Sequence, residues 1–216
     1  GELASTRTSA AVRIGWTTLF VKAFALVSEQ LPDFRDVFVR YPRNQLYRHP
    51  HSVASISIHR QDDAGNERLI FGRCNRPESM PLCELQRQID SFCTAPLSQI
   101  YREGLILERQ PAFVRNAVWW CLMNCSGRKR AKHVGTFSVS SLGGHGAFNA
   151  HHPLITTSSL AISPLTVDGE CDVVLICDHR TLDGMAGARG LQLLEEILRQ
   201  EIIAELHSTH AEKIAA

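Results

Sequence analysis

CDHRTLDGMAG, Cys177 to Gly187, is the stretch on which the fold and the chemistry turn. The apolar run VVLI, ending at Ile176, delivers a histidine flanked by Asp178 and Arg180. Asp183 and Gly184 follow, and then a long helical pattern begins. Charge at the end of a buried strand is costly unless it is paired or put to use. A neutral imidazole, with an unperturbed pKa near ~6.5, is the usual side chain for taking a proton near neutral pH. Removing a proton from a thiol or hydroxyl turns a weak nucleophile into a strong one. Such a base has to be aimed, and Asp178 or Asp183 can do so directly or by fixing the turn around it. Gly184 permits a tight turn or a close backbone approach. The plainer reading is that His179 caps a strand end and Asp183 N-caps the final helix.

Outward from that stretch the elements read clearly. CDVVLICD is a strand, and GMAGARGLQLLEEILRQEIIAEL is one long helix with Leu191, Leu194, Ile197 and Leu198 on one face and Glu195, Glu196, Arg199 and Gln200 on the other. At the other end of the chain, Thr17 to Leu31 is a helix with a wide apolar face that Pro32 stops. RDVFVRY, NQLYRH and SVASISIHR read as strands, the last alternating Val53, Ser55 and Ser57 against Ala54, Ile56 and Ile58. DDAGNE is a hairpin turn into ERLIFGR. A helical middle follows: PLCELQRQIDSFC, a further helix from Leu97 to Gln110, and PAFVRNAVWWCLMNC, which Gly127 is read as stopping. The basic cluster RKRAKH leads into the strand GTFSVS and the loop SLGGHGAF; HHPLITTSSLAISPL and a short hairpin at VDGE complete the series. Hairpins alternating irregularly with helices predict an α/β domain, a mixed sheet with helices packed on it.

The 216 residues suit one sizeable domain. A net charge of +1 matches basic against acidic residues and argues against a general nucleic-acid footprint. No apolar run reaches the ~18 residues of a membrane span, so no membrane contact is expected. The opening GELASTRTSA has neither an initiator Met nor a signal-peptide pattern, which suggests a trimmed or processed chain. Seven cysteines without a CxxC pair read as small buried hydrophobes in a reducing cytoplasm. Cys121 and Cys125 lack the partner pair that zinc requires, and the adjacent His151 and His152 point different ways from a strand, so no metal is expected. Trp119 and Trp120 are read as packing in a core or a subunit interface; a peripheral lipid-facing patch is the minor alternative.

VVLICDHRTLDGMAGARGLQLLEEIL resembles the C-terminal segment of the dihydrolipoyl acyltransferases of 2-oxoacid dehydrogenase complexes, and more distantly chloramphenicol acetyltransferase. GTFSVSSLGGHGAF is similar to that family's strand and loop, and TTLFVKAFALVSEQLPDF to its helix before the first hairpin. The three stretches stand in the family's order and together span roughly residues 13–205. The resemblance implies a chloramphenicol acetyltransferase-like two-layer fold over residues 1–216. It implies His179 as the general base and Asp183 as a structural residue held in an ion pair. It also implies Ser140 as the hydroxyl that donates to the tetrahedral oxyanion, with Ser141 as its competitor on the opposite face. It further implies a homotrimer with active sites between subunits, the histidine from one chain and the serine from the next. Arg128, Lys129, Arg130 and Lys132 are candidate contacts for the phosphates of a coenzyme A thioester, although such a run is more often a solvated surface. His145 is a candidate for lining the channel.

The chain also departs from the family. Only about 16 residues precede the Thr17 helix, so the family's first helix and strand, with the usual arginine partner of the motif aspartate, are expected to be missing. No lipoyl domain, lipoyl group or Pro/Ala-rich linker is present in the sequence. HHPLITTSS replaces the family's Pro-Pro segment, and Ser140 stands only 39 residues before His179. These departures surround the channel and bear on the acceptor more than on the chemistry. The preferred reading is a free-standing acyltransferase that moves an acyl group from acyl-CoA or an acyl-carrier protein to a hydroxyl, amine or thiol. The alternatives are a scaffold-forming core of a dehydrogenase complex and a non-catalytic trimeric binding protein of the same fold.

Overall fold

Alternation along β3 (Val53–Gln61) decides which side of the sheet is buried. Ala54, Ile56 and Ile58 belong to the hydrophobic core, so Ser55, Ser57 and His59 take the other face. In the computed structural model, which describes residues 2–9, 13–62, 65–142 and 146–214, β3 pairs antiparallel with β4 (Glu67–Asn75) from Val53–Asn75 to Gln61–Glu67. Between them the Asp62 N–H donates to Asn66 O and the Gly65 N–H to Asp62 O, both at 2.9 Å, while Asp63 and Ala64 of the expected hairpin turn lie outside the described residues. β5 (Phe137–Ser141) runs parallel to β3, β6 (Ser158–Ile162) parallel to β5, and β7 (Val173–Cys177) antiparallel to β6. The result is a mixed five-stranded sheet in the order β4-β3-β5-β6-β7. β1 (Asp36–Val39) and β2 (Gln45–Arg48) form a separate antiparallel pair.

Helices cover the core face. Besides α1 (Glu2–Ser9), the layer holds α2 (Trp16–Gln30) and α3 (Leu82–Thr94). α8 (Gly184–Ile197), a π-helical turn (Leu198–Ile202) and α9 (Ile203–Ile214) close it. α2 is apolar almost all round, with Leu19, Phe20, Val21, Phe24 and Val27 buried, so it is a core helix rather than a surface one. Phe24 sits edge-on to Phe34 and Phe137, with centroids 5.4 and 5.0 Å away. The one cation of α2 is satisfied internally: Lys22 Nζ donates to the carbonyls of Glu78 (2.9 Å) and Met80 (2.6 Å). No helix among the described residues is long and apolar enough to cross a membrane.

Three helix boundaries differ from expectation. The helix expected over Leu97–Gln110 is split into α4 (Leu97–Ile100) and α5 (Arg102–Glu108). The break is at Tyr101, whose ring folds over Gly104 so closely that a Cβ there would lie 2.1 Å from it. The long C-terminal helix is interrupted by the π-helical turn, which keeps Ile202 and Leu206 in the core beyond Leu194 and Ile197. Gly127 does not stop a helix. α6 (Ala112–Asn124) ends before it, and Gly127 is the first residue of α7 (Gly127–Val134), capped by Ser126. Glycine is needed there because Tyr47 leaves no room for a side chain; a Cβ would sit 2.4 Å from the Tyr47 Cβ and 2.5 Å from its ring.

Candidate active site

β7 ends at Cys177 and the chain turns into α8 through a short, heavily bonded loop. The Asp178 N–H donates to Thr157 O (2.9 Å), and the Thr181 and Leu182 N–H groups donate back to Asp178 O. Arg180 grips the Asp178 carboxylate with Nε to Oδ1 (2.8 Å) and Nη2 to Oδ2 (2.6 Å), and stacks over the Phe38 ring of β1. Burial alone would raise the Asp178 pKa, but hydrogen bonds and charge from Arg180, with Arg130 behind, hold it below the usual range. Asp183 accepts from the Ala186 N–H (2.7 Å) and so N-caps α8. It forms no ion pair among the described residues; the charge partner implied by the resemblance is replaced by the helix terminus.

His179 is left between these two engaged carboxylates. Its ring is exposed, has no hydrogen-bond partner among the described residues, and faces an open cleft of about 550 Å³ lined by Asp33, Arg180, Asp183, Met185 and Arg189. An imidazole so placed is free to take a proton from a molecule in the cleft. The nearby Cys177 is not a competing nucleophile, because burial pushes its thiol up to about 11.

Ser140 lies on the opposite face of the sheet from the core, together with Ser138 on its own strand. It is half-buried, and its hydroxyl has no hydrogen-bond partner among the described residues. Ser141 points to the other side, where it lines a cavity of about 360 Å³ with Trp16, Thr17, Ile162 and Pro164. The register separates Ser140 from His179. Ser140 pairs with Ala161, which pairs with Val174, while β7 runs on to Cys177 before the His179 loop begins. Three residues along the strand and two strands across put Ser140 about 14 Å from the end of β7. The two groups therefore belong to opposite ends of one chain's sheet.

The cation cluster divides. Arg128, Lys129 and Lys132 are exposed on α7. Arg130 is only 3% exposed and is withdrawn from any ligand: its guanidinium donates to Phe38 O and Ile155 O, both at 3.0 Å. Arg130 ties α7 to β1 and to the segment before β6, directly behind the Asp178–Arg180 pair. Its assignment as a phosphate contact is corrected to a structural one. Sequence reasoning also missed a polar chain on the Ser140 face, in which Ser138 Oγ donates to Ser159 Oγ (2.7 Å) and His152 Nε2 lies 2.5 Å from that same oxygen. The alternation of β5 and β6 shows that Ser138 and Ser159 share a face; nothing in the local pattern places His152 against them. His145 lies outside the described residues. Among the described residues, no group of three or more His, Cys, Asp or Glu side chains could hold a metal ion. Trp119 and Trp120, expected in a core or an interface, are exposed on α6.

No protein-family model and no curated protein matches the chain. Solved structures do. A dihydrolipoamide acetyltransferase of Azotobacter vinelandii, investigated for the roles of a serine, a histidine and an asparagine in its catalytic mechanism, is 21% identical with a TM-score of 0.58. The match covers 94% of this chain and 75% of that one. The cubic core of a pyruvate dehydrogenase multienzyme complex matches over the same shares at 20% identity and a TM-score of 0.57. A chloramphenicol acetyltransferase matches over 92% of this chain and 83% of its own, at 11% identity and a TM-score of 0.54. The chain has the chloramphenicol acetyltransferase-like fold.

Proposed function

We propose that the chain is an acyltransferase domain that moves an acyl group from a thioester, an acyl-CoA, to a hydroxyl, amine or thiol acceptor. The observation that carries this reading is the unpartnered His179 ring, held in an open cleft at a strand-to-helix turn whose two carboxylates are already engaged. His179 takes the acceptor proton as the acceptor attacks the thioester carbonyl. The tetrahedral oxyanion accepts a hydrogen bond from the Ser140 hydroxyl of a neighbouring copy, since the two residues of one chain are too far apart to act together. The C–S bond then breaks, and the thiolate leaves with the proton returned by His179. Such a hydroxyl helps because it meets charge that develops only at the transition state. A homotrimer supplies three such shared sites. The exposed cations Arg128, Lys129 and Lys132 stand at the His179 end of the sheet, where they suit the phosphates of coenzyme A.

Thermal unfolding with and without coenzyme A, repeated with dephospho-coenzyme A, tests the donor. Ligand at 100 times its dissociation constant stabilises by about 2.7 kcal/mol. A clear rise in Tm that weakens without the 3′-phosphate is the expected result. No rise with either ligand contradicts coenzyme A as donor.

A further inference from the structure

An apolar helix in a folded protein is ordinarily buried. α6 is largely apolar and has no buried residue. Phe113 is 74% exposed and Trp120 52%, and Val118 and Trp119 are exposed as well. At about 100° per residue, Val118, Trp119 and Trp120 stand on three different sides of the helix. Packing on α7 and β1 therefore cannot cover them together. Contiguous exposed apolar surface of this kind marks an interaction site.

The turn between β1 and β2 belongs to the same surface. The Tyr41 N–H donates to Asn124 O (2.9 Å), and the exposed Tyr41 ring lies 6.1 Å from that of Trp120. Arg40 and Arg43, also exposed, stand on either side of Tyr41 in this turn. Residues 37–50 and 109–132, which build the surface, contain no aspartate or glutamate. At the N-terminal end of α6, Arg115 donates to Glu108 O (3.4 Å), and the Glu108 carboxylate is taken up by Arg68 (2.7 Å). Beyond the C-terminal end, Arg128 and Lys129 are exposed on α7. The whole chain has a net charge of only +1, so this excess of cations is local.

An apolar centre with a cationic border suits an anionic lipid surface. Apolar side chains enter the headgroup boundary, Trp and Tyr favour that depth, and Lys and Arg meet the phosphates. Length fixes the mode of contact. Thirteen residues make a helix of about 20 Å, short of the ~30 Å hydrocarbon core, so α6 can lie along a bilayer and not across it. The lack of a spanning run in the sequence does not bear on such a contact. A second copy docked α6 to α6 would instead bring like charges together.

We propose that α6 and the β1–β2 turn form a peripheral docking surface for a membrane rich in anionic phospholipid. Phe113, Trp119 and Trp120 enter the interface, and the cations around them meet the headgroup phosphates. The proposal is independent of the acyltransferase reading, because binding is read without substrate.

Flotation of the purified chain with vesicles tests it. Binding to equimolar phosphatidylcholine and phosphatidylglycerol is expected, weakening as salt rises. Trp119→Ser with Trp120→Ser is expected to abolish it at unchanged circular dichroism. Arg40→Gln with Arg43→Gln is expected to weaken it about 30-fold, since each cation at an anionic surface contributes about fivefold. Failure to bind, equal binding to phosphatidylcholine alone, or binding that the tryptophan pair leaves intact overturns the proposal. So does a chain that self-associates through α6 and leaves vesicles unbound, which would make the surface a protein contact. An inactive chain that binds the vesicles as expected would count against the catalytic reading and leave the docking surface standing.

Discussion

At the scale of the residue, the account stands on the opposition between engaged and free side chains. Asp178 is held by Arg180 and Asp183 by the first turn of α8, whereas the side chains of His179 and Ser140 have no hydrogen-bond partner among the described residues. His179→Ala is expected to lower turnover by about 10²–10⁴ with thermal unfolding unchanged, because the ring is exposed and makes no hydrogen bond among the described residues; thiol release from acetyl-CoA in the presence of an acceptor reads it. Ser140→Ala should cost about 10²–10³ in kcat with coenzyme A binding retained. Ser141→Ala should be near neutral, since its hydroxyl lies on the other face of the sheet. Loss of turnover confined to Ser141→Ala would move the oxyanion donor by one residue. His179 and the capping role of Asp183 were legible in the sequence because strand, turn and helix follow within a few residues. Arg130 was not, because a run of cations does not say which one turns inward. The signal was present in the neighbours: Gly127, Arg130, Ala131 and Val134 are the buried positions of α7 and recur at helical spacing.

At the scale of the element, two contacts hold the His179 loop in place. Asp183→Ala removes the cap of α8 and is expected to cost about 1 kcal/mol, whereas Asp183→Asn keeps most of that stability; urea unfolding of the two variants compares them. Equal losses in both would mean that the carboxylate's charge, not its capping oxygen, matters. Arg130→Met leaves two part-buried carbonyls, of Phe38 and Ile155, without their donor and is expected to cost about 1–3 kcal/mol by the same measurement. A loss below ~0.5 kcal/mol, the range of ordinary surface changes, would contradict its anchoring role. The sheet strands were readable because β3 alternates so strictly and because turn residues bound each run. The breaks at Tyr101 and at Leu198–Ile202 were not, because a side chain folding over Gly104 and a local π turn leave the apolar periodicity almost intact. The Gly127 error has a different origin: glycine is both a helix stop and the residue of close approach, and only the Tyr47 ring decides between them.

At the scale of the whole molecule, the register puts Ser140 and His179 at opposite ends of one sheet. The fold class was legible because three separated stretches kept their order. The separation of Ser140 from His179 required the strand register, which no local pattern supplies: β5 and β7 are not neighbours, and β6 sets their offset. The central claim is that an active centre forms from His179 of one copy and Ser140 of another. The most direct measurement is the activity of a mixture of His179→Ala and Ser140→Ala chains, refolded together from denaturant. Each variant alone is expected to be nearly inactive. With random mixing in a head-to-tail ring, about a quarter of the interfaces join an intact His179 to an intact Ser140, so the mixture should recover about a quarter of the unaltered protein's turnover. A mixture no more active than its two components would contradict a site shared between copies.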